Sequence, residues 1–158
     1  MKNSIGIHAL VWSGTWNLKD IENSIKLSKQ LGYDLIEIPL LDPFNFDIKN
    51  TKKYLDKYKF NSVTSLGLSE ETDISSSEEQ HRINGKKILE KALDVTFELG
   101  SDYMGGVLYS ALAKYHHPPN NESKKRSAEI LHHLSIKAKN YGIKIGLEPV
   151  NRYESNLI

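Results

Sequence analysis

The chain has 158 residues, of which 39% are hydrophobic and 26% charged, and its formal net charge is +1. Such a composition predicts one folded domain, and the near-neutral charge argues against nucleic acid as the main partner. The lack of cysteine excludes disulfides, thiolate metal ligands and cysteine nucleophiles. The sequence contains neither a signal-peptide pattern nor an apolar run of about 18 residues, so we expect a cytoplasmic protein with no membrane partner.

Short apolar runs alternate with longer amphipathic ones along the chain. The predicted strands lie at residues 4–11, 34–40, 61–67, 102–108 and 143–148. The predicted helices lie at residues 18–31, 49–59 and 122–141, with one more that ends at Gly100 and begins at a capping box of Ser76 and Glu79. This alternation predicts parallel strands with the helices on the outside.

The spacing of the strands predicts a barrel. Each strand–helix unit takes roughly 30 to 40 residues, and a (β/α)8 TIM barrel takes roughly 250 residues. We therefore predict an α/β fold in which residues 1–158 form the N-terminal part of a single barrel domain, with four βα units and a fifth strand. Active sites of such barrels lie at the carboxyl ends of the strands.

Glu148 is the first candidate for chemistry. In the last predicted strand, side-chain alternation places Glu148 on one face with Lys144, while the apolar residues occupy the other face. Because the apolar face suits the outer helices, Glu148 is expected to point into the barrel at the catalytic end. A carboxylate there can bind a metal or transfer a proton, and the alternative is a structural ion pair with a lysine of the barrel.

Other candidates lie near the same end of the predicted barrel. His8 is expected on the inner face of the first strand, and Trp16 follows soon after; aromatic rings there can border a sugar, or simply pack in the core. Glu37 fits either a buried pair or a supporting role, and the sequence does not decide between them. Asn151, Arg152 and Glu154 can bind the hydroxyl groups of a ligand, although composition alone favours an ordinary solvated loop.

Several segments, taken together and in order, are similar to one enzyme family. They are GIHALVW with Trp16 after it, GYDLIEIP, TSLGLSEETDISSSEE, Gly105-Gly106 followed by VLYS, and GLEPVNRYE, the last being the most specific. Over all 158 residues the chain resembles the D-tagatose and D-psicose 3-epimerases of the xylose-isomerase-like TIM barrel superfamily. The resemblance implies an isomerase that acts on a ketose by abstracting the C3 proton through an enediolate.

The resemblance also implies roles for individual residues. Glu148 matches a metal ligand that is also one of two catalytic acid/base glutamates. Glu154 matches the glutamate that holds the sugar near its carbonyl, and His8 stands where the family often has an aromatic residue. Trp16 matches an aromatic wall of the pocket, and Leu108 lies in a segment that borders it. Glu154, His8, Trp16 and Leu108 are therefore expected to bind substrate.

The implied cofactor is a divalent metal, Mn²⁺ first, with Mg²⁺ and Co²⁺ as alternatives. The family's Asp, His and second Glu would lie beyond residue 158, so we expect residues 1–158 alone to bind manganese weakly and to lack epimerase activity. The full-length form is expected to be a homo-oligomer. Two alternatives stay open: a hydroxypyruvate- or inosose-type isomerase or dehydratase of the same superfamily, and a non-catalytic partial barrel that packs on a partner.

Overall fold

The computed structural model describes residues 3–113, 118–155 and 157–158. The strands are β1 (Gly6–His8), β2 (Leu35–Pro39), β3 (Asn61–Ser65), β4 (Tyr103–Gly105) and β5 (Lys144–Ile145). The helices are α1 (Leu18–Gln30), α2 (Ile48–Tyr58), α3 (Glu79–Leu99) and α4 (Asn121–Tyr141). Short 3-10 helices, Ala9–Val11 and Glu70–Thr72, follow β1 and β3.

The five strands form one parallel sheet in the order β1-β2-β3-β4-β5. This confirms the predicted α/β class, the parallel strands and their sequential order. The regular strands are shorter than the predicted ones, yet pairing continues beyond β5. Gly146 N donates to Met104 O and Glu148 N donates to Gly106 O, each at 3.0 Å. These two bonds carry the last strand up to Glu148.

Polar caps and glycines set most helix boundaries. The side chain of Asn17 accepts hydrogen bonds from the first turn of α1, and Asn120 forms a capping box at α4. Gly100 and Gly142 end α3 and α4 with φ angles of 78° and 71°, in the left-handed region that glycine adopts without steric cost.

The capping box predicted for Ser76 and Glu79 is wrong. Helix α3 begins at Glu79, its N-cap is Glu78, and no side-chain hydrogen bond caps it. The Ser76 hydroxyl accepts instead from the backbone N–H of Glu78, at 3.1 Å. Ser76 therefore belongs to the preceding turn, which places it too early to reach the amides of the first helical turn.

The core lies between the sheet and its helices. Ile36, Ile38 and Met104 point outward from β2 and β4 and are fully buried against residues of α1 and α3 such as Ile25 and Leu93. This leaves the opposite face of the strands for polar residues. None of the described helices combines the length and the apolar character that a bilayer crossing requires.

Candidate active site

The inner face of the sheet opens into a cleft of about 730 Å³ at the carboxyl ends of the strands. His8 from β1, Glu37 from β2 and Ser65 from β3 line it, together with Gly106 and Glu148 from the segments after β4 and β5. His8, Ser65, Gly106 and Glu148 stand at or just beyond the end of a strand, and Glu37 lies two residues before the end of β2. The cleft therefore occupies the position at which barrels of this kind carry their active sites.

Glu148 reaches the cleft as the alternation along its strand predicts. Its backbone N–H is held by Gly106 O, and the residue is exposed. Among the described residues, Glu148 takes part in no ion pair, so the alternative of a structural pair with a barrel lysine finds no support there. The carboxylate is available to a ligand, while its catalytic and metal-binding roles remain predictions.

His8 and Glu37 form a pair on the other side of the cleft. They are direct neighbours in the β1–β2 register, and His8 Nε2 lies 3.6 Å from Glu37 Oε1. The other ring nitrogen, Nδ1, accepts a hydrogen bond from the backbone N–H of Leu10 at 3.2 Å. The side chains of His8 and Glu37 are 35% and 40% exposed, so Glu37 is paired but not buried.

Ser65 was not identified from the sequence. Its hydroxyl lies 3.4 Å from His8 Nε2, and the residue is buried at the end of β3. A serine in a polar stretch carries no signal of its own. Only the β2–β3 register, which pairs Pro39 with Ser65, brings it to the same edge as Glu37.

The structure places Trp16 and Leu108 outside the lining of the cleft. Trp16 is partly buried against the main core, and its indole N–H donates to Thr51 Oγ1 at 3.0 Å. The Leu108 side chain is fully buried in the same core, whereas its neighbour Val107 lines the cleft. The substrate contacts expected of Trp16 and Leu108 remain predictions.

Glu154 lies in a turn after the cleft and does not line it. Its carboxylate accepts a hydrogen bond of 2.5 Å from Asn151 Nδ2. The next residue, Ser155, is buried and shares a hydrogen bond of 2.9 Å with the Ser110 hydroxyl, which fixes the turn to the segment after β4. The turn is thus well anchored, and the substrate-binding role of Glu154 stays a prediction.

A second cavity, of about 430 Å³, lies near the start of α4. Its lining combines Arg126 with two carboxylates, Glu70 and Asp73. Arg126 Nε donates to Ser75 O at 3.0 Å, which is a structural contact between α4 and the segment before α3. The lining also includes His81, but no residue of the described strands borders this cavity, so we do not assign the active site to it.

The described residues do not by themselves fit a metal centre. Within residues 3–113, 118–155 and 157–158, no three His, Asp or Glu side chains converge. Divalent cations such as Mn²⁺ take several oxygen or imidazole ligands. Glu148 can supply one of them, while His8 and Glu37 face each other.

Comparison with known proteins identifies the family. Residues 25–158 match the family described as xylose isomerase-like TIM barrel. The L-ribulose 3-epimerase of Methylomonas sp. (strain DH-1) is 42% identical over 97% of this chain and 54% of its own length. The ketose 3-epimerase of Arthrobacter globiformis is 38% identical over 98% of this chain and 53% of its own length.

Solved structures agree with this match. The crystal structure of D-allulose 3-epimerase from Methylomonas sp. in complex with D-allulose has a TM-score of 0.94 and 42% identity, covering 97% of this chain and 53% of that one. The chain therefore spans about half the length of the curated relatives that it matches. The family match, together with the parallel sheet and its sequential strand order, shows that this chain belongs to the xylose isomerase-like TIM barrel family.

Proposed function

We propose that the protein is a sugar epimerase that inverts C3 of a ketose. The observation that carries this proposal is the position of Glu148, an exposed carboxylate at the carboxyl end of the sheet that lines the cleft. Relatives named L-ribulose 3-epimerase and ketose 3-epimerase, at 42% and 38% identity, support the same reaction class.

The chemistry assigned to Glu148 is proton transfer. The hydrogen on the carbon beside a ketose carbonyl is weakly acidic, and a carboxylate within hydrogen-bond reach can act as general base. Removal of this hydrogen as a proton leaves an enediolate, which is planar at C3. Return of a proton to the opposite face then inverts that carbon. We assign to Glu148 the removal of the C3 proton from one face of the sugar. We propose that the residue that returns a proton to the opposite face lies outside residues 1–158.

We further propose a divalent metal, Mn²⁺ before Mg²⁺ or Co²⁺, and this rests on the resemblance alone. Glu148 is the one ligand that the described residues would contribute, and the remaining ligands must come from outside them. For the whole protein we propose a homo-oligomer in the cytoplasm without nucleic-acid or membrane partners. The support for the absence of a nucleic-acid partner is the net charge of +1.

The epimerase is preferred over the related isomerase or dehydratase because of the segment after β5. Asn151, Arg152, Tyr153 and Glu154 form the sequence by which the chain resembles the epimerases. In the structure, Asn151 and Glu154 bond to each other within an anchored turn. The identified relatives are named as 3-epimerases as well.

The test is product analysis with the full-length protein. Purified protein is incubated in the presence of Mn²⁺ with one sugar at a time: L-ribulose, D-allulose, D-fructose or D-tagatose. The sugars in each reaction are then resolved by chromatography. We expect interconversion of a pair of ketoses that differ only at C3. Formation of an aldose, or of a dehydrated product, would instead identify the related isomerase or dehydratase.

A further inference from the structure

Two neighbouring glycines leave a gap on the inner face of the sheet, one layer below Glu148 on the side of the strands' amino ends. Gly105 of β4 and Gly146 after β5 stand side by side, because Met104 pairs with Ile145 one position earlier. Side chains alternate along a strand, so both glycines share the inner face with Glu148. Barrel interiors are otherwise filled by layers of side chains. The gap therefore needs a side chain from elsewhere to fill it.

The ring of Tyr103 fills this gap. Tyr103 is the first residue of β4, and its ring leans along the inner face toward the carboxyl ends of the strands. A Cβ atom added to Gly105 would lie 2.9 Å from a ring carbon, and one added to Gly146 would overlap the phenol oxygen. The phenol thus occupies the space that a side chain at position 146 would take.

Gly146 separates two opposite charges on the inner face of one strand. Lys144 precedes it by two residues and is the register partner of Tyr103, and Glu148 follows it by two residues. The Cα atoms of Lys144 and Glu148 are about 13 Å apart, four residues at about 3.3 Å each. A lysine and a glutamate side chain that extend toward each other nearly bridge that distance. Both residues are exposed, and within the described part of the chain neither forms an ion pair.

An ion pair with Lys144 would disable Glu148 as a base. The carboxylate would point toward the amino ends of the strands, away from the cleft, and its oxygens would accept the protons of the ammonium group. Hydrogen bonds between two charged groups are the strong ones, so such a pair would compete with the sugar for the carboxylate. The space over Gly146 is the direct route between the two side chains, and the Tyr103 ring closes it.

We propose that Tyr103 is a positioning residue whose ring, seated over Gly105 and Gly146, keeps Lys144 from pairing with Glu148 and so leaves the carboxylate free for proton transfer. This inference rests on the proposed function for the role of Glu148. It assigns the task to the ring of Tyr103 rather than to its hydroxyl group, and it gives the two glycines the task of accommodating that ring.

The test measures kcat and KM of the full-length protein for the ketose that it epimerises. Tyr103→Val opens the space over Gly146 and should lower kcat roughly tenfold with KM nearly unchanged, as for a base that is free in about one molecule in ten. Adding Lys144→Met should restore most of kcat, because the competing cation is gone. Adding Lys139→Met, which removes an exposed lysine of α4, is the matched control and should restore nothing. Tyr103→Phe keeps the ring and should retain most of kcat.

A measurement without substrate separates this inference from the proposed function. In the metal-free protein, urea denaturation gives the double-mutant cycle of Lys144→Met and Glu148→Gln. The two changes should be additive in the parent, where the ring lies between the side chains, and non-additive in Tyr103→Val, where they meet. This cycle decides the inference even if the protein turns over no ketose.

If Tyr103→Val does not fold, Tyr103→Leu takes its place in both experiments, since it also removes the ring atoms that reach Gly146. Additivity in both backgrounds would overturn the inference. So would a loss of kcat in Tyr103→Val that Lys144→Met does not restore, because that loss would come from a merely structural role of the ring.

Discussion

The ring of Tyr103 lies across Gly146, so close that a Cβ atom on Gly146 would overlap the phenol oxygen. The same ring also covers Gly105, where an added Cβ would lie 2.9 Å from a ring carbon. Tyr103 and Gly105 belong to β4, and Gly146 directly follows β5. Glu148 comes two residues after Gly146 on the same face, so the strand that carries Glu148 is packed against this ring.

Replacing Gly146 by alanine should therefore destabilise the fold. Because Tyr103 is 39% exposed and its ring can shift, we expect a cost at the lower end of the roughly 1–3 kcal/mol that over-packing takes from the free energy of unfolding, measured by urea denaturation. Gly14→Ala is the control, because an added Cβ there meets nothing within 4 Å. Combining Gly146→Ala with Tyr103→Val should recover part of the loss. Equal stability of the Gly146 and Gly14 variants would show that the ring is free to move aside.

Gly106→Ala should be costly for a different reason. Gly106 has a φ angle of 118°, and an added Cβ would lie 3.0 Å from the backbone nitrogen of Leu66 and closer still to its carbonyl oxygen. Backbone strain and a backbone clash add, so we expect a loss of more than about 1 kcal/mol in the free energy of unfolding. Gly67→Ala, also in the cleft, meets only a Leu112 methyl group at 3.8 Å and should be nearly neutral. A thermal melt in which both variants match the parent would contradict the assigned backbone geometry.

Leu108→Ala should lower the stability of the fold rather than weaken substrate binding. Its side chain is fully buried, and truncating a buried leucine costs about 2–5 kcal/mol in the free energy of unfolding. Leu112→Ala is the control, because Leu112 lines the cleft but is 51% exposed, and we expect it to leave the melting temperature almost unchanged. A Leu108→Ala protein of parental stability with a raised KM would assign Leu108 to the pocket wall instead.

Asp47 is the N-cap of α2, and its contribution to the free energy of unfolding should depend on pH. Hydrogen bonds from the Asn50 side chain and then its backbone N–H lower the pKa of this carboxyl. Because the folded-state pKa is the lower one, the stabilisation is complete above the ordinary carboxyl pKa of about 4 and disappears as the pH falls through the lowered value.

Asp47→Ala should thus cost about 1 kcal/mol at pH 7, the effect of losing an N-cap, and much less near pH 2. Urea denaturation of both proteins at the two pH values measures the difference. Asp56→Ala, on the exposed side of α2, is the matched control. A cost that stays constant between pH 7 and pH 2 would argue against an ionised cap.

Periodicity was sufficient to predict the parts of the fold that depend on neighbouring residues. Ile36 and Ile38 alternate with Glu37, and the structure buries the two isoleucines and turns the glutamate to the cleft. The same argument placed Glu148 correctly on the inner face. The end of α3 at Gly100 was also predictable, because the glycine there adopts the left-handed conformation.

Features that depend on distant residues were not predictable in this way. The contact of Ser65 with His8 spans 57 positions, and nothing in the local sequence indicates it. Gly105 and Gly146 were equally unpredictable, because the Tyr103 ring comes to lie over Gly146 only when β4 and β5 pair. For Leu108, a resemblance in the surrounding segment gave a role, but the side chain packs into the core.

The most direct test of the account is proton exchange at C3. The full-length protein is incubated in deuterated water with the ketose that it epimerises, and loss of the C3 proton signal is followed by NMR. Removal of a general base costs about 10²- to 10⁴-fold in rate, so Glu148→Gln should reduce exchange by at least that factor. In the metal-free protein its melting temperature should not change, because Glu148 is exposed. Glu129→Gln, an exposed position on α4, should exchange at the parental rate. Exchange at the parental rate in Glu148→Gln would contradict the assignment of Glu148 as the base.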